Sequence, residues 1–332
     1  MDDRPDDLAR LLHETLETLG WDAEPAILAA QVKRLDIGLP AEDEFSVICA
    51  WLGNCELIHK LDQHQMPLSS KDRYQVPDLL IRFKTQTNDR PVLIEVKSKA
   101  DKKLSFTGDY LQRLKNYANL MGMPLLIAWR FHSVWMLFEV RHLAKAVTNY
   151  NINLNDGMRE NLLGVLAGDF GYKIGHGAGV HFRCDKEQLV SEEDVGETVQ
   201  QMWKMRIGEV AFTDRTGSRI DAPSPETQTL FGIWDLEEKS EDYPDYVHMS
   251  FTAPEDGMQF AHSSLVKLLN LGAPEEEKLS WRRVARKEKF TTIDDFRGAV
   301  TKAMSEKVVH FVINPFPQTV PDFVEGLKED DA

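Results

Sequence analysis

Val76-Pro77-Asp78-Leu79-Leu80-Ile81, followed by Val92-Leu93-Ile94-Glu95-Val96-Lys97, is the stretch on which the reading of this chain turns. Each run is apolar and carries a charged group at its margin, with the turn residues Thr87-Asn88-Asp89 between them. That pattern predicts adjacent strands of a hairpin. Side chains alternate along a strand, so Glu95 and Lys97 share one face while Val96 points to the other. Asp78 on the neighbouring strand then brings a second carboxylate to the same place. At an effective dielectric of about 20, two carboxylates roughly 4 Å apart repel by about 4 kcal/mol. A divalent cation is the obvious offset.

The halves of this pattern are common and mean little alone. Pro-Asp recurs at Pro244-Asp245 and Pro321-Asp322, and an acid two residues before a lysine recurs at Asp101-Lys103, Glu237-Lys239 and Glu276-Lys278. What sets the first pairing apart is its setting in two β-rich apolar runs. Upstream, Glu44 opens a segment with Phe45, Ile48, Trp51 or Leu52 and Cys55 at helical spacing, and Cys55 to Leu61 can form a strand after the Gly53-Asn54 break. Downstream, Leu111, Leu114, Ala118 and Met121 predict a helix over 107–121 with Gly122 as its stop, then strands over 124–131 and 134–140.

Pro-Asp, a variable gap, then Glu-x-Lys resembles the motif of the PD-(D/E)xK nuclease superfamily. The order helix, three strands, helix, two strands over residues 41–145 is similar to its restriction-endonuclease-like αβββαβ core, an α/β fold. The resemblance implies Asp78, Glu95 and Lys97 as catalytic residues. Asp78, Glu95 and the Val96 carbonyl would hold Mg²⁺, with Mn²⁺ as a substitute, and Lys97 would orient the attacking water. Hard oxygen ligands suit such a cation. In that family a glutamate on the first helix often completes the site. Glu44 takes the matching place, with Glu42 and Asp43 as rivals and macrodipole stabilisation as a purely structural role. Gln112, Asn116 and Tyr117 depart by one residue from the Gln-x-x-x-Tyr of the exonuclease branch. The resemblance also implies a nucleic-acid substrate, with DNA favoured, and a homodimer. Restriction or anti-phage defence is the favoured setting, and a partner subunit for targeting stays open.

The chain of 332 residues has a formal charge of −15, which argues against a general nucleic-acid binder. Between Lys71 and Lys115 the balance reverses, with eleven Lys/Arg against six Asp/Glu. Lys99, Lys102 and Lys103 crowd the end of the motif strand and, with Gln112, are candidate phosphate contacts. The absence of a long apolar stretch predicts no membrane span. Three cysteines without a C-x-x-C pair fit reduced thiols in the cytoplasm.

Three domains are expected: a helical extension over 1–40, the nuclease-like core over 41–145, and a C-terminal α+β domain over 146–332 for recognition, dimerisation or regulation. In the last, 172–184 reads as a hairpin around Gly175-His176-Gly177-Ala178-Gly179. That turn lacks the following Lys-Ser/Thr of a phosphate loop. His176, His181 and Cys184 lack a fourth metal ligand. Ser191-Glu192-Glu193-Asp194 and Glu237 to Asp242 read as solvated loops, and the basic stretch from Trp281 to Lys289 as a helix. Two other classes remain open: a non-catalytic nucleic-acid-binding protein on the same fold, and a phosphohydrolase of small substrates.

Overall fold

The computed structural model describes residues 41–63, 65–84, 90–195, 198–270 and 296–324. The extension expected at 1–40, the turn Thr87-Asn88-Asp89, the basic stretch 281–289 and the C-terminal tail from residue 325 lie outside the described residues. The described residues fall into two compact units, one from 41–169 and 315–324, the other from 170–270 and 296–314.

The first unit opens with helix α1, residues 41–52, whose Phe45, Ile48 and Cys49 are buried at helical spacing. Strands β1 (Cys55–Lys60), β2 (Leu79–Phe83), β3 (Val92–Ser98) and β4 (Lys103–Thr107) follow, then helix α2 (Gly108–Met121). Thr107 caps α2, its hydroxyl accepting the Tyr110 N–H at 3.4 Å, and Gly122 ends it at φ +64°, a conformation that disfavours any side chain. Next come β5 (Leu125–Phe131), β6 (Val134–Glu139), β7 (Ala144–Lys145) and β8 (Asn149–Asn153), with short helices α3 (Leu154–Arg159) and α4 (Leu163–Ala167).

The main sheet has the order β1-β2-β3-β5-β6 and is antiparallel except for the parallel pair β3/β5. Both of its faces are covered. Ile127, Trp129, Met136 and Phe138 pack with Leu111 and Leu114 of α2 and with Leu104, Phe106 and Ile152. On the opposite face Trp135 meets Phe45 of α1 at 4.9 Å between ring centroids. A sheet buried on both sides needs apolar residues at every position, hence the unbroken apolar runs.

Two features depart from expectation. The polar stretch after Lys99 holds β4, which pairs with β8 and not with the main sheet, giving a small sheet β4-β8-β7. The unit therefore runs past residue 145 to 169.

The second unit contains β9 (Gly171–Ile174), β10 (Gly179–Val195), β11 (Thr198–Thr213), β12 (Arg219–Ile220), helix α5 (Pro225–Ile233), β13 (Glu237–Asp242), β14 (Tyr246–Thr252), β15 (Gln259–Phe260), helices α6 (Ala261–Asn270) and α7 (Phe296–Ser305), and β16 (Val309–Ile313). One sheet has the order β12-β11-β10-β14-β13, the other β15-β9-β16. β9 and β10 thus belong to different sheets, which corrects the hairpin expected at 172–184. The glycines of that turn serve close packing. A Cβ at Gly175 would lie 2.1 Å from the Arg215 Cβ, and one at Gly179 would lie 2.1 Å from the Phe251 carbonyl oxygen. The acidic runs expected as loops lie on the strands β10 and β13. β14 pairs β10 only over residues 179–185, so beyond them β10 and β11 continue as a two-stranded ribbon. Water reaches both faces of such a ribbon, which removes the apolar alternation that would mark a strand.

Among the described residues no helix is long and apolar enough to cross a membrane. The three cysteines are free thiols.

Leu114 has no exposed surface and stands between α2 and the sheet. Leu114→Ala should destabilise the first unit by about 2–5 kcal/mol. Chemical denaturation of the variant beside the wild type checks this, and a loss below about 1 kcal/mol would mean that α2 packs elsewhere.

Candidate functional site

Strand β3 is longer on one side than on the other. Its pairing with β2 ends at Leu79↔Ile94, while its pairing with β5 continues through Glu95, Val96, Lys97 and Ser98. The Val96 N–H, which points away from β5, is thus left without a strand partner. The Asp78 carboxylate takes it, Oδ2 accepting at 2.7 Å. Asp78 stands one residue before β2, and its own carbonyl accepts the Leu61 N–H at 3.0 Å. Main chain on one side and side chain on the other fix this residue at the place where the sheet opens.

Glu95 is fully buried. Its Oε1 accepts from the Lys97 ammonium and from the Tyr110 hydroxyl, the latter at 2.5 Å. Its Oε2 has no hydrogen-bond partner among the described residues. A buried carboxylate oxygen without a donor is costly, so this atom is where a cation would be stabilising. The Lys97 ammonium also lies 5.4 Å from the centroid of the Tyr110 ring, and its side chain is a third exposed.

Burial, and then the charge of Glu95, push the Asp78 carboxyl well above its ordinary range, with Lys97 acting against them. Burial works to lower the Lys97 pKa but is outweighed by Glu95 and Asp78, so the ammonium is held charged. Burial and Glu95 raise the Tyr110 phenol, which keeps it a neutral donor. The centre is therefore two crowded acids on one lysine.

Of the three acids on α1, Glu44 is tied elsewhere. Its Oε1 accepts the Trp135 indole N–H at 2.9 Å and its Oε2 pairs with Arg130 at 2.8 Å. Asp43 pairs with Lys60, and Glu42 lies 3.7 Å from the same ammonium. Glu42 is the acid of the three whose charge reaches Asp78. Lys99 pairs with Asp101 at 3.2 Å, and Gln112 donates to Asn116 at 2.9 Å. Lys102 and Lys103 are exposed.

Tyr110 was not among the residues singled out from sequence. Its signal there is Thr107, the cap that starts α2 and sets residue 110 in the first turn, over the end of β3.

In the second unit His181 meets His248 at 3.3 Å and Thr213 at 3.1 Å. Among the described residues no group of three or more His, Cys, Asp or Glu is placed to hold a metal ion. A cation at the first unit's site would therefore rest on two carboxylates and main-chain oxygen.

The raised Asp78 pKa has a definite sign in stability. The folded chain holds this proton more tightly than the unfolded chain, so the wild type loses stability as pH rises from the unfolded value through the raised folded one. Asp78→Asn, which can still accept the Val96 N–H, should melt higher than wild type at pH 7 without divalent ions. The gap should close as pH falls towards about 4, the ordinary carboxylate value. Melting curves of both proteins between pH 4 and 8 decide it; a gap independent of pH would show that Asp78 carries no such strain.

Residues 66–166 match the family model described as archaeal Holliday junction resolvase, Hjc. No curated protein matches the sequence. Among solved structures, the Hjc of Archaeoglobus fulgidus, a Holliday junction resolvase from an archaeal hyperthermophile, aligns at 18% identity with a TM-score of 0.28, over 36% of this chain and 84% of that one. So low a TM-score lends no weight of its own. The family match contains Asp78, Glu95, Lys97 and Tyr110, and it leaves the second unit untouched. The match supports the restriction-endonuclease-like superfamily for residues 66–166.

Proposed function

We propose that this chain is a divalent-metal-dependent endonuclease that cuts DNA, with branched junctions as its preferred substrate. The observation that carries the proposal is the buried Glu95, whose Oε1 is held by Lys97 and Tyr110 while Oε2 stays without a donor beside Asp78. Asp78, Glu95 Oε2 and the Val96 carbonyl would hold Mg²⁺, or Mn²⁺ in its place, and the donor set fits such a hard cation. When bound, the ion would lower the pKa of a coordinated water and stabilise negative charge on the scissile phosphate.

The chain's own residues supply the rest. Lys97, held charged by the two acids, keeps a positive centre within reach of a phosphate and orients the attacking oxygen. The hydrogen bond from Val96 to Asp78 fixes that carboxylate before any substrate arrives. Lys102 and Lys103, with Lys99 and Gln112 beside them, would contact backbone phosphates. Glu42, whose charge reaches Asp78, would take the accessory role on α1 for which the resemblance favours Glu44, with Glu42 and Asp43 as rivals. The resolvase match favours branched-DNA processing over the restriction and anti-phage roles that the same core can serve. A twofold junction is cut on two strands, which a homodimer with two such sites would accomplish. The second unit, outside the family match, would provide recognition, dimerisation or regulation, and the reduced thiols fit work in the cytoplasm.

Cleavage of a four-way junction, a linear duplex and a single strand is the test, with Mg²⁺ or EDTA. The wild type should cut the junction in Mg²⁺ only, and Asp78→Ala and Lys97→Ala should each lose on the order of a hundredfold or more in rate. Equal cutting by the variants would move the chemistry elsewhere. Binding without cutting by the wild type would make this a silent DNA-binding protein.

A further inference from the structure

Tyr110 and Lys97 share a single oxygen of Glu95. Both donate to Oε1, and neither reaches Oε2. The arrangement is rigid on the Tyr110 side: the residue lies in the first turn of a capped helix, its ring stacks on buried Phe106 at 6.3 Å, and the Lys97 ammonium lies against the ring face. A carboxylate whose one oxygen is claimed by two donors can offer a cation only the other. This matters because the candidate cations differ in what they ask of a carboxylate. Ca²⁺ takes six to eight oxygens in flexible geometry and uses two-oxygen contacts from one carboxylate, whereas Mg²⁺ demands a tight octahedron and is served by single oxygens.

We propose that Tyr110 is a positioning residue which restricts Glu95 to a one-oxygen contact with the divalent ion and so makes the site discriminate against Ca²⁺ in favour of Mg²⁺. The inference rests on the metal-dependent reading above and goes beyond it, since that reading asks only that Glu95 be a ligand. Lys97 alone does not enforce the restriction, because its long side chain is a third exposed and can swing towards a bound phosphate. The tyrosine hydroxyl, at the end of a packed ring, has no such freedom.

The experiment is calorimetric titration of the metal-free full chain with MgCl₂ and with CaCl₂, for wild type, Tyr110→Phe, Tyr110→Gln and Glu95→Gln, with thermal unfolding of each. Tyr110→Phe should lower the ratio of the Ca²⁺ Kd to the Mg²⁺ Kd by about five- to tenfold, the worth of one ordinary hydrogen bond. Tyr110→Gln, which keeps a donor, should recover part of it. A purely structural tyrosine would lower the melting temperature and leave that ratio unchanged, which overturns the proposal. Glu95→Gln separates the two levels. If it abolishes binding of both ions while Tyr110→Phe leaves the ratio alone, the selectivity idea fails and the metal site stands. If Glu95→Gln binds both ions as the wild type does, the metal reading fails and the selectivity idea with it.

Discussion

A carboxylate without exposed surface is tolerable only if donors meet it, and Glu95 meets them on one oxygen alone. Much of the first unit serves that condition. β3 lies at the middle of a five-stranded sheet, so Glu95 is set by hydrogen bonding on both sides of its strand, directly to β5 and just before it to β2. β4 and the Thr107 cap bring the start of α2, and with it Tyr110, over the strand end. The hydrophobic cluster beneath α2 holds that helix in place.

The second constraint is the unequal length of β2 and β3. Had β2 paired with β3 through Val96, the Val96 N–H would have gone to a strand carbonyl. The early end of β2 frees it for Asp78, which thereby gains a fixed carboxylate position close to Glu95. The cost is electrostatic: two acids crowd each other in a desolvated place, and one lysine offsets them only partly.

The second unit obeys different rules. Its long ribbon is held by ladder hydrogen bonds and, where it leaves the sheet, by the Lys186 ammonium, which pairs with Asp242 and lies over the Trp203 ring at 5.4 Å. The ribbon and its sheet lie outside residues 66–166, the segment that matches the family model.

The amino-acid sequence by itself determined the main sheet and α2, because β3, β5 and β6 are buried on both faces and their apolar runs are long enough to be read without context. It also determined that Glu95 and Lys97 share one face of β3, since strand alternation leaves them nowhere else to go, whereas the early end of β2 is what sets Asp78 beside them. Only the tertiary structure decided which acid of α1 bears on Asp78. Glu42, Asp43 and Glu44 all sit in the first turn of α1, and it is Arg130 and Trp135, far away in sequence, that claim Glu44. The same holds for Tyr110, whose partners are Glu95 and Lys97, and for β4, whose partner β8 lies beyond the expected domain boundary. Local periodicity records which face of an element is buried; it carries no record of which distant group a polar side chain will meet, and that pairing shaped the site.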